Sequence, residues 1–210
     1  CIESAVFVKE ALLPNAAVSE TKPGTSKAGF NQILWLALTL TPGLGPTRSR
    51  RLVEFLGGVE EVFKATLTEL EAAGLPVAAA QALATGRSIE LAQDELAKAA
   101  AAGIRTVCLD DPEYPPELRQ IYDPPPVLYV GGNVAVLSNP GIAMVGTRHP
   151  TPYGIGMAER LACDLAARNL VIFSGLARGV DTAAHRGAIS GKGKTVAVLG
   201  TGVVQRKIRD

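Results

Sequence analysis

Short apolar runs, each ending at a glycine, dominate the last third of the chain. They read IAMVG at residues 142–146, LVIFSG at 170–175 and TVAVLG at 195–200. Near-continuous apolar runs of this length are typical of parallel strands that are buried on both faces. Because segments of helical character separate them, the pattern predicts strand–helix–strand units and a Rossmann-like, doubly wound parallel α/β sheet.

The chain before these runs divides into two further parts. Residues 1–29 include the polar, Gly/Pro-punctuated stretch SETKPGTSKAGF and are predicted to be a flexible tail. Residues 30–102 are rich in Ala, Leu and Glu at helical spacing, which predicts a small all-helical domain. Leu52, Phe55 and Leu56 should share one helical face. Ser88 is expected to cap the last helix of this domain, and Gly103 to end it.

Residues 103–210 form the predicted Rossmann-like domain, and its opening region differs from the rest. IRTVCL and VLYVGG are predicted to be short strands. The connection between them, DDPEYPPELRQIYDPPP, contains too many prolines for a regular element.

The stretch TPGLGPTRSRR in the helical domain resembles a helix-hairpin-helix, a common unit that binds DNA without sequence specificity. Gly43 and Gly45 lie in its turn, where backbone N–H groups and the next helix N-terminus are able to hold a phosphate. Three arginines would lie near that site: Arg48, Arg50 and Arg51. The alternative is a tight interhelical turn without a ligand, and the sequence leaves both open.

Charge is distributed unevenly over the two halves. Residues 1–140 carry 11 basic and 16 acidic side chains, whereas residues 141–210 carry 10 basic and 4 acidic ones. The half with the glycine-rich turns is therefore the basic half, which favours an anionic partner there. The alternative is an uneven surface charge with no partner.

Two glycine-rich turns should meet at one edge of the predicted sheet, because ligands of such sheets bind beyond the carboxyl ends of the strands. The strand ends are residues 146–148, 174–175 and 200–202. Thr151 and Pro152 suit the first two positions of the helix after the first turn, and Asp181 is expected to cap the helix after the second. With Arg148 and Arg178, these helix starts predict an anion-binding edge.

Three standard sites fit the sequence poorly. GTRHPTPYGIG lacks the GxGxxG spacing of a dinucleotide turn, and no acidic residue ends the second strand to hold a ribose. SGKGKT has Ala188 where a P-loop needs its first glycine, and it precedes a strand instead of following one. Ser174, Asp181 and His185 are candidates for a hydrolytic triad, but FSGLARG is not a GxSxG turn. We therefore expect no catalytic residue and no cofactor.

Cysteine spacing and hydropathy exclude two further classes. Cys1, Cys108 and Cys163 show no metal-binding spacing, so we expect buried free thiols in a reducing compartment and no metal. No apolar run reaches the roughly 18 residues of a membrane span, and no signal peptide is visible. A cytoplasmic protein without membrane contact is expected.

One pattern covers most of the chain: VGTR…YG…SGLARGVDTAAHRGAI…GKTVAVLGTG, preceded by DPEYPPELRQIYDPPPVLYVGG. It resembles the DNA-processing protein A family (DprA, also called Smf) from about Asn31 to Gly202. The resemblance implies a protein that binds and protects incoming single-stranded DNA, loads RecA recombinase in natural transformation, acts as a homodimer and uses no cofactor. It also implies DNA phosphate contacts at Gly146, Thr147, Arg148, Ser174, Gly175, Ala177, Arg178 and Gly179.

The resemblance is expected to end at Gly202, where VVQRKIRD replaces the family's usual continuation. Together with the start at Cys1 instead of Met, this indicates a fragment, truncated at its C-terminus. The alternative function is a Rossmann-like hydrolase that acts on a nucleoside phosphate, and ligand length separates the two. A recombination mediator binds oligonucleotides and hardly binds mononucleotides, whereas a hydrolase turns a mononucleotide over.

Overall fold

The computed structural model of the chain describes residues 5–10 and 27–200. These residues form two compact units. The sheet unit contains β1 (Ala5–Glu10) and residues 129–200, and the helical unit contains residues 27–128.

The helical unit is built around a buried first helix. Its elements are α1 (Lys27–Leu40), α2 (Pro46–Leu56), α3 (Val59–Lys64), α4 (Leu67–Ala72), α5 (Val77–Ala84), α6 (Arg87–Ala101), β2 (Ile104–Cys108) and the one-turn helix α7 (Pro116–Arg119). Leu34, Trp35 and Leu36 on α1 are each 1% exposed. A helix that is apolar around most of its circumference must be surrounded, and α1 packs against α2, α3, α6 and β2.

The boundary between the units lies after Leu128, not after residue 102 as predicted. Two side chains of α1 hold the segment that follows β2. Trp35 Nε1 donates a hydrogen bond to Asp110 Oδ2 at 2.7 Å, and Gln32 Nε2 donates to Asp111 Oδ2 at 3.3 Å. These bonds attach the predicted first strand of the Rossmann-like domain to the helices.

The two predictions for the ends of α6 have opposite outcomes. Gly86 occupies the N-cap position, and Ser88 lies inside the helix with its Oγ 2.8 Å from Thr41 Oγ1. The predicted Ser88 cap is therefore wrong, because a buried hydroxyl pair takes up its side chain. The predicted stop is confirmed: Gly103 follows the C-cap residue Ala102 with a φ of 70°.

The sheet unit contains β1 and then, in chain order, β3 (Val127–Gly131, which begins in the helical unit), a 3₁₀ turn (Val134–Ser138), β4 (Gly141–Ala143), α8 (Pro152–Ala166), β5 (Val171–Ser174), α9 (Val180–Ser190) and β6 (Lys194–Leu199). Its strands lie in the order β3-β1-β6-β5-β4. Strands β4, β5 and β6 are parallel. The predicted α/β fold with a Rossmann-like parallel sheet after a helical part is confirmed.

Strand β1 lies within the predicted tail of residues 1–29. Residues Ala5–Glu10 pair antiparallel with Leu199–Lys194 of β6, and Ala5–Phe7 pair in parallel with Tyr129–Gly131 of β3. The prediction of a tail is wrong for these six residues, because their partners are distant in sequence and no local pattern reveals them, and it is also wrong for residues 27–29, which begin α1. The rest of the tail up to residue 26 lies outside the described residues.

Strand β4 is the last strand at one edge of the described sheet, and all three of its residues are exposed. Ile142 is 43% exposed, and Val145 just after the strand is 74% exposed. The prediction that this apolar run is buried on both faces is wrong for the described chain. Among the described strands only β5 pairs with β4, and a strand with one neighbour keeps an open edge.

Small residues bring α8 and α9 close together. The core between these helices and β5 consists of Ala162, Ala166, Ile172, Ala184 and Ala188. A Cβ on Gly187 of α9 would contact the Glu159 carbonyl oxygen and lie 2.8 Å from the Ala162 Cβ of α8. The two helix backbones are therefore in near contact at Gly187.

Candidate nucleic-acid interface

The turns that follow β4 and β5 lie side by side, because these strands are parallel neighbours. We call residues 146–148 the first turn and residues 174–179 the second turn. The Ser174 hydroxyl donates to the Met144 carbonyl at 2.6 Å, and the Val180 N–H donates to the Thr147 carbonyl at 3.3 Å. The structure thus brings the two predicted turns together at the carboxyl edge of the sheet.

Two glycines allow this contact between the turns. A Cβ on Gly146 would lie 2.8 Å from the Val180 side chain. Gly179 has a φ of 88°, and a Cβ there would contact the Thr147 carbonyl oxygen and lie 2.9 Å from Pro150 Cδ. Larger residues would force the turns apart, so both glycines serve the packing of one turn on the other.

A buried carboxylate shapes the second turn. Asp181 is 6% exposed, and its Oδ2 accepts hydrogen bonds from the N–H groups of Gly175 at 3.2 Å and Ala177 at 3.3 Å. Thr182 Oγ1 closes the turn by donating to the Ala177 carbonyl at 2.7 Å. The N–H groups of Gly175 and Ala177 therefore already have an acceptor within the protein.

The predicted role of Asp181 as a helix cap is wrong. Helix α9 begins at Val180, its N-cap residue is Gly179, and no side chain caps it. Asp181 lies one residue inside the helix and points its carboxylate back at the preceding turn. The corresponding prediction for α8 is confirmed: Thr151 is the N-cap, its Oγ1 accepts from the Gly154 N–H at 3.1 Å, and Pro152 begins the helix.

The two arginines of the turns are both exposed. Within residues 5–10 and 27–200, neither Arg148 nor Arg178 forms a hydrogen bond or ion pair. A guanidinium group presents N–H donors in a planar fork that matches two oxygens of a phosphate. The adjoining turns therefore present two available cations at one edge of the sheet. At the third predicted strand end, Gly200 is exposed, and Thr201 and Gly202 lie outside the described residues.

The three side chains considered for a hydrolytic triad have other partners. The Ser174 hydroxyl and the Asp181 carboxylate hold the turns as described. The Thr195 hydroxyl donates to the Ile172 carbonyl at 2.8 Å, so it accepts from His185 Nδ1 at 2.7 Å. Burial lowers the pKa of His185, which keeps the ring neutral, and its Nε2 has no partner among the described residues.

The predicted hairpin is present between α1 and α2. Gly43 has a φ of 81°, and its carbonyl accepts from the Arg48 guanidinium at 3.3 Å. Gly45 is the N-cap of α2 in an extended conformation (φ −77°) and forms no side-chain cap. A Cβ on Gly45 would meet nothing within 4 Å, so neither conformation nor packing requires glycine there.

Arg50 is not part of the hairpin surface. Its guanidinium donates to the Tyr122 carbonyl at 2.9 Å and lies 3.4 Å from the Glu54 carboxylate. This side chain holds the segment after α7 against α2. Of the three arginines that the sequence places near the hairpin, Arg48 and Arg51 are exposed there.

The described residues contain neither a membrane-spanning helix nor a metal-binding cluster. No described helix has the length and apolarity that crossing a bilayer requires. No cluster of three or more His, Cys, Asp or Glu that would suit a metal ion occurs in the described part of the chain. Cys108 is a buried free thiol as predicted, Cys163 is half-buried, and Cys1 lies outside the described residues.

The chain is similar to proteins of DNA processing. The model of the family described as DNA recombination-mediator protein A matches residues 105–209, which include both arginine turns and extend past Gly202, where we expected the resemblance to end. Protein Smf of Synechocystis sp. is 33% identical over 183 residues, which cover 84% of this chain and 46% of that protein. DNA processing protein DprA of Bacillus subtilis is 41% identical over 101 residues, 48% of this chain and 34% of the relative.

A solved structure shows the same similarity. DNA processing protein A from Streptococcus pneumoniae superposes with a TM-score of 0.65 at 29% identity, covering 84% of this chain and 59% of that chain. The present chain spans less than half the length of the curated relatives named above. Fold, matched residues and relatives agree, and the chain belongs to the DNA recombination-mediator protein A family (DprA/Smf).

Proposed function

We propose that this chain binds single-stranded DNA through the two arginine turns, without catalysing a reaction, and that it loads RecA recombinase onto the bound strand. The observation that carries the proposal is the pair of exposed, unpaired guanidinium groups of Arg148 and Arg178 on two turns that contact each other. Adjacent phosphates of a DNA strand are the ligand that such a pair suits.

The residues of the two turns have different roles in this proposal. Arg148 and Arg178 grip phosphates, and the exposed Thr147 lies between Gly146 and Arg148 at the same surface. Ser174, Gly175, Ala177 and Gly179 act indirectly, because their described bonds and packing fix the shape of the second turn.

The hairpin is a second, smaller contact in the proposal. Gly43, Gly45 and Arg48 surround the start of α2, and the open space at Gly45 leaves the backbone free to approach a phosphate. Glycine is itself a common N-cap residue, and without a side chain at Gly45 a phosphate would reach the backbone N–H groups at the start of α2.

Among the described residues, the candidate nucleophile and the candidate base of the alternative, a nucleotide hydrolase, are not bonded to each other. The Ser174 hydroxyl donates to a backbone carbonyl, and the His185 Nδ1 is bonded to Thr195. A hydrolase would need a nucleophile and a base within hydrogen-bond reach of each other. The experiment below includes a mononucleotide to separate the two functions.

The test is a salt titration with a labelled thymidine oligonucleotide. We expect Arg148→Ala and Arg178→Ala each to weaken binding by about 1–3 kcal/mol. Each should also lower the slope of log affinity against log salt by roughly 0.7. The matched control is Arg168→Ala: this arginine donates to the Asp164 carbonyl near the far end of α8 and should change neither quantity.

Three results would count against the proposal. They are a salt-independent affinity, an Arg148 variant that binds like the Arg168 control, or turnover of a mononucleotide that His185→Ala abolishes. Loading is tested separately, by the rate at which RecA begins ATP hydrolysis on DNA covered by single-strand-binding protein. We expect the chain to shorten the lag before RecA begins to hydrolyse ATP. The Arg148→Ala variant should leave that lag as long as it is without the chain. We also propose a homodimer, as the family resemblance implies, and sedimentation of the chain tests it.

A further inference from the structure

A second basic surface lies beside the hairpin and is distinct from the arginine turns. It is an open groove of about 310 Å3 between α2 and the connection from α4 to α5. Its lining residues are Leu44, Arg48, Arg51, Leu52, Phe55, Ala73, Gly74 and Leu75. We call it the α2 groove.

The position of Phe55 in this groove contradicts the expectation from the sequence. Leu52 is 3% exposed as a core residue should be, but Phe55, which was expected to share its buried face, is 71% exposed. Residues 48, 51, 52 and 55 have the spacing i, i+3, i+4 and i+7, so two arginines, a leucine and an exposed ring follow one side of α2. The helix thus presents a mixed cationic and aromatic stripe.

The charged side chains that line the groove are all positive. None of its lining residues is acidic. Glu54, the carboxylate next to Phe55 in sequence, is 3.4 Å from Arg50 Nε and is thereby paired outside the groove. Within the described part of the chain, the Arg51 guanidinium has no hydrogen bond or ion pair.

The floor of the groove is apolar. Leu44, Leu52 and Leu75 are 2%, 3% and 8% exposed, so they form a firm surface below the exposed ring. A ligand that fits must therefore combine a flat or apolar part with negative charge. The volume is at the lower limit of small-ligand sites, which suits one nucleotide unit and is too small for a peptide helix.

We infer that the α2 groove holds one unstacked base of single-stranded nucleic acid against Phe55, with Arg51 on the adjoining phosphate. Bases stack on exposed aromatic rings regardless of sequence, and a nearby guanidinium adds a phosphate contact. Arg48 lines the groove and also bonds to Gly43 of the hairpin, so the groove continues directly from the proposed phosphate contact there. This inference rests on the proposed function and adds to it a base-binding position that the arginine turns do not provide.

The experiment compares a thymidine oligonucleotide with an abasic oligomer of equal length, using the full chain. Phe55→Ala should weaken binding of the thymidine strand by roughly 5- to 150-fold and leave the abasic strand unaffected, because stacking needs a base. Phe55→Tyr should bind the thymidine strand like the wild-type chain, because it keeps an aromatic ring at this position. Arg51→Ala should weaken both strands and lower the salt slope by roughly 0.7.

The matched control is Tyr122→Ala, which removes an 83% exposed ring of the same unit that lies outside the groove. A direct readout comes from Phe55→Trp: Trp35 is 1% exposed, so fluorescence quenching by the oligonucleotide reports the introduced indole.

The outcomes separate this inference from the proposed function. If the wild-type chain binds the thymidine strand but Phe55→Ala behaves like Tyr122→Ala, the groove inference is wrong and the arginine turns are unaffected. If an acidic peptide with leucine side chains quenches the introduced indole and the oligonucleotide does not, the groove is a protein-binding site instead. If the wild-type chain binds neither strand, both proposals are wrong.

Discussion

Alanine at two helical glycines should change stability in opposite directions. Gly156 of α8 and Gly187 of α9 both lie inside helices, where Gly→Ala gains roughly 1 kcal/mol of helix propensity. A Cβ on Gly156 would meet nothing within 4 Å, so Gly156→Ala should stabilise the sheet unit by about 0.5–1 kcal/mol. A Cβ on Gly187 would contact the Glu159 carbonyl and lie 2.8 Å from Ala162 Cβ.

The contact at Gly187 outweighs the gain in propensity. Overpacking costs typically 1–3 kcal/mol, and here the obstacle includes a backbone carbonyl that no side-chain rotation relieves. We therefore expect Gly187→Ala to destabilise the sheet unit by about 1–2 kcal/mol net. Two chemically identical substitutions should thus differ by about 2 kcal/mol, roughly a 30-fold difference in the unfolding equilibrium.

Urea unfolding followed by far-UV circular dichroism measures this difference. The chain contains one tryptophan, Trp35, whose fluorescence gives a second, independent signal of unfolding. If Gly187→Ala proved as stabilising as Gly156→Ala, the close approach of α8 and α9 would be wrong.

Two further predictions concern the buried polar groups of the sheet unit. Burial lowers the pKa of His185 below its ordinary value of 6.5, so the unfolded chain binds the proton more readily. The contribution of His185 to stability should therefore be constant above about pH 6.5 and fall as the pH drops below it; unfolding at several pH values should show that His185→Gln removes this part of the fall. Asp181→Ala leaves the N–H groups of Gly175 and Ala177 without their acceptor and should cost about 1–3 kcal/mol, with Asp181→Asn milder. Faster hydrogen exchange at these two amides would support this account, and unchanged exchange would contradict it.

Local patterns were sufficient for much of the sheet unit. The apolar runs that became β5 and β6, the Thr151 cap and the adjacency of the two turns follow from periodicity and from the geometry of parallel strands. The strands and the cap depend on residues within about a dozen positions of each other, which is the range over which sequence patterns are informative, and the adjacency of the turns then follows from the strand–helix–strand connection.

The features that sequence reasoning missed depend on partners distant in the chain or on a choice between equivalent bonds. Strand β1 exists because Ala5–Glu10 pairs with residues almost 190 positions later. Aspartate is a common helix-cap residue, but the Asp181 carboxylate accepts hydrogen bonds from N–H groups of the preceding turn instead. The path of the backbone decides between a cap bond and a turn bond, and the sequence pattern does not show that path. Phe55 has the spacing of a core residue, and its exposure depends on where the connection between α4 and α5 lies.

The small residues between α8 and α9 also influence the distance between the two arginine turns. Helix α8 begins four residues after Arg148, and α9 begins two residues after Arg178, so each helix starts beside one of the two cations. Because α8 and α9 are in near contact at Ala162 and Gly187, pushing these helices apart would also move the turn at the start of each helix. If the proposed function holds, packing between α8 and α9 helps to set the distance between the two phosphate contacts. A methyl group added at Gly187 would then change DNA affinity although this residue does not contact DNA.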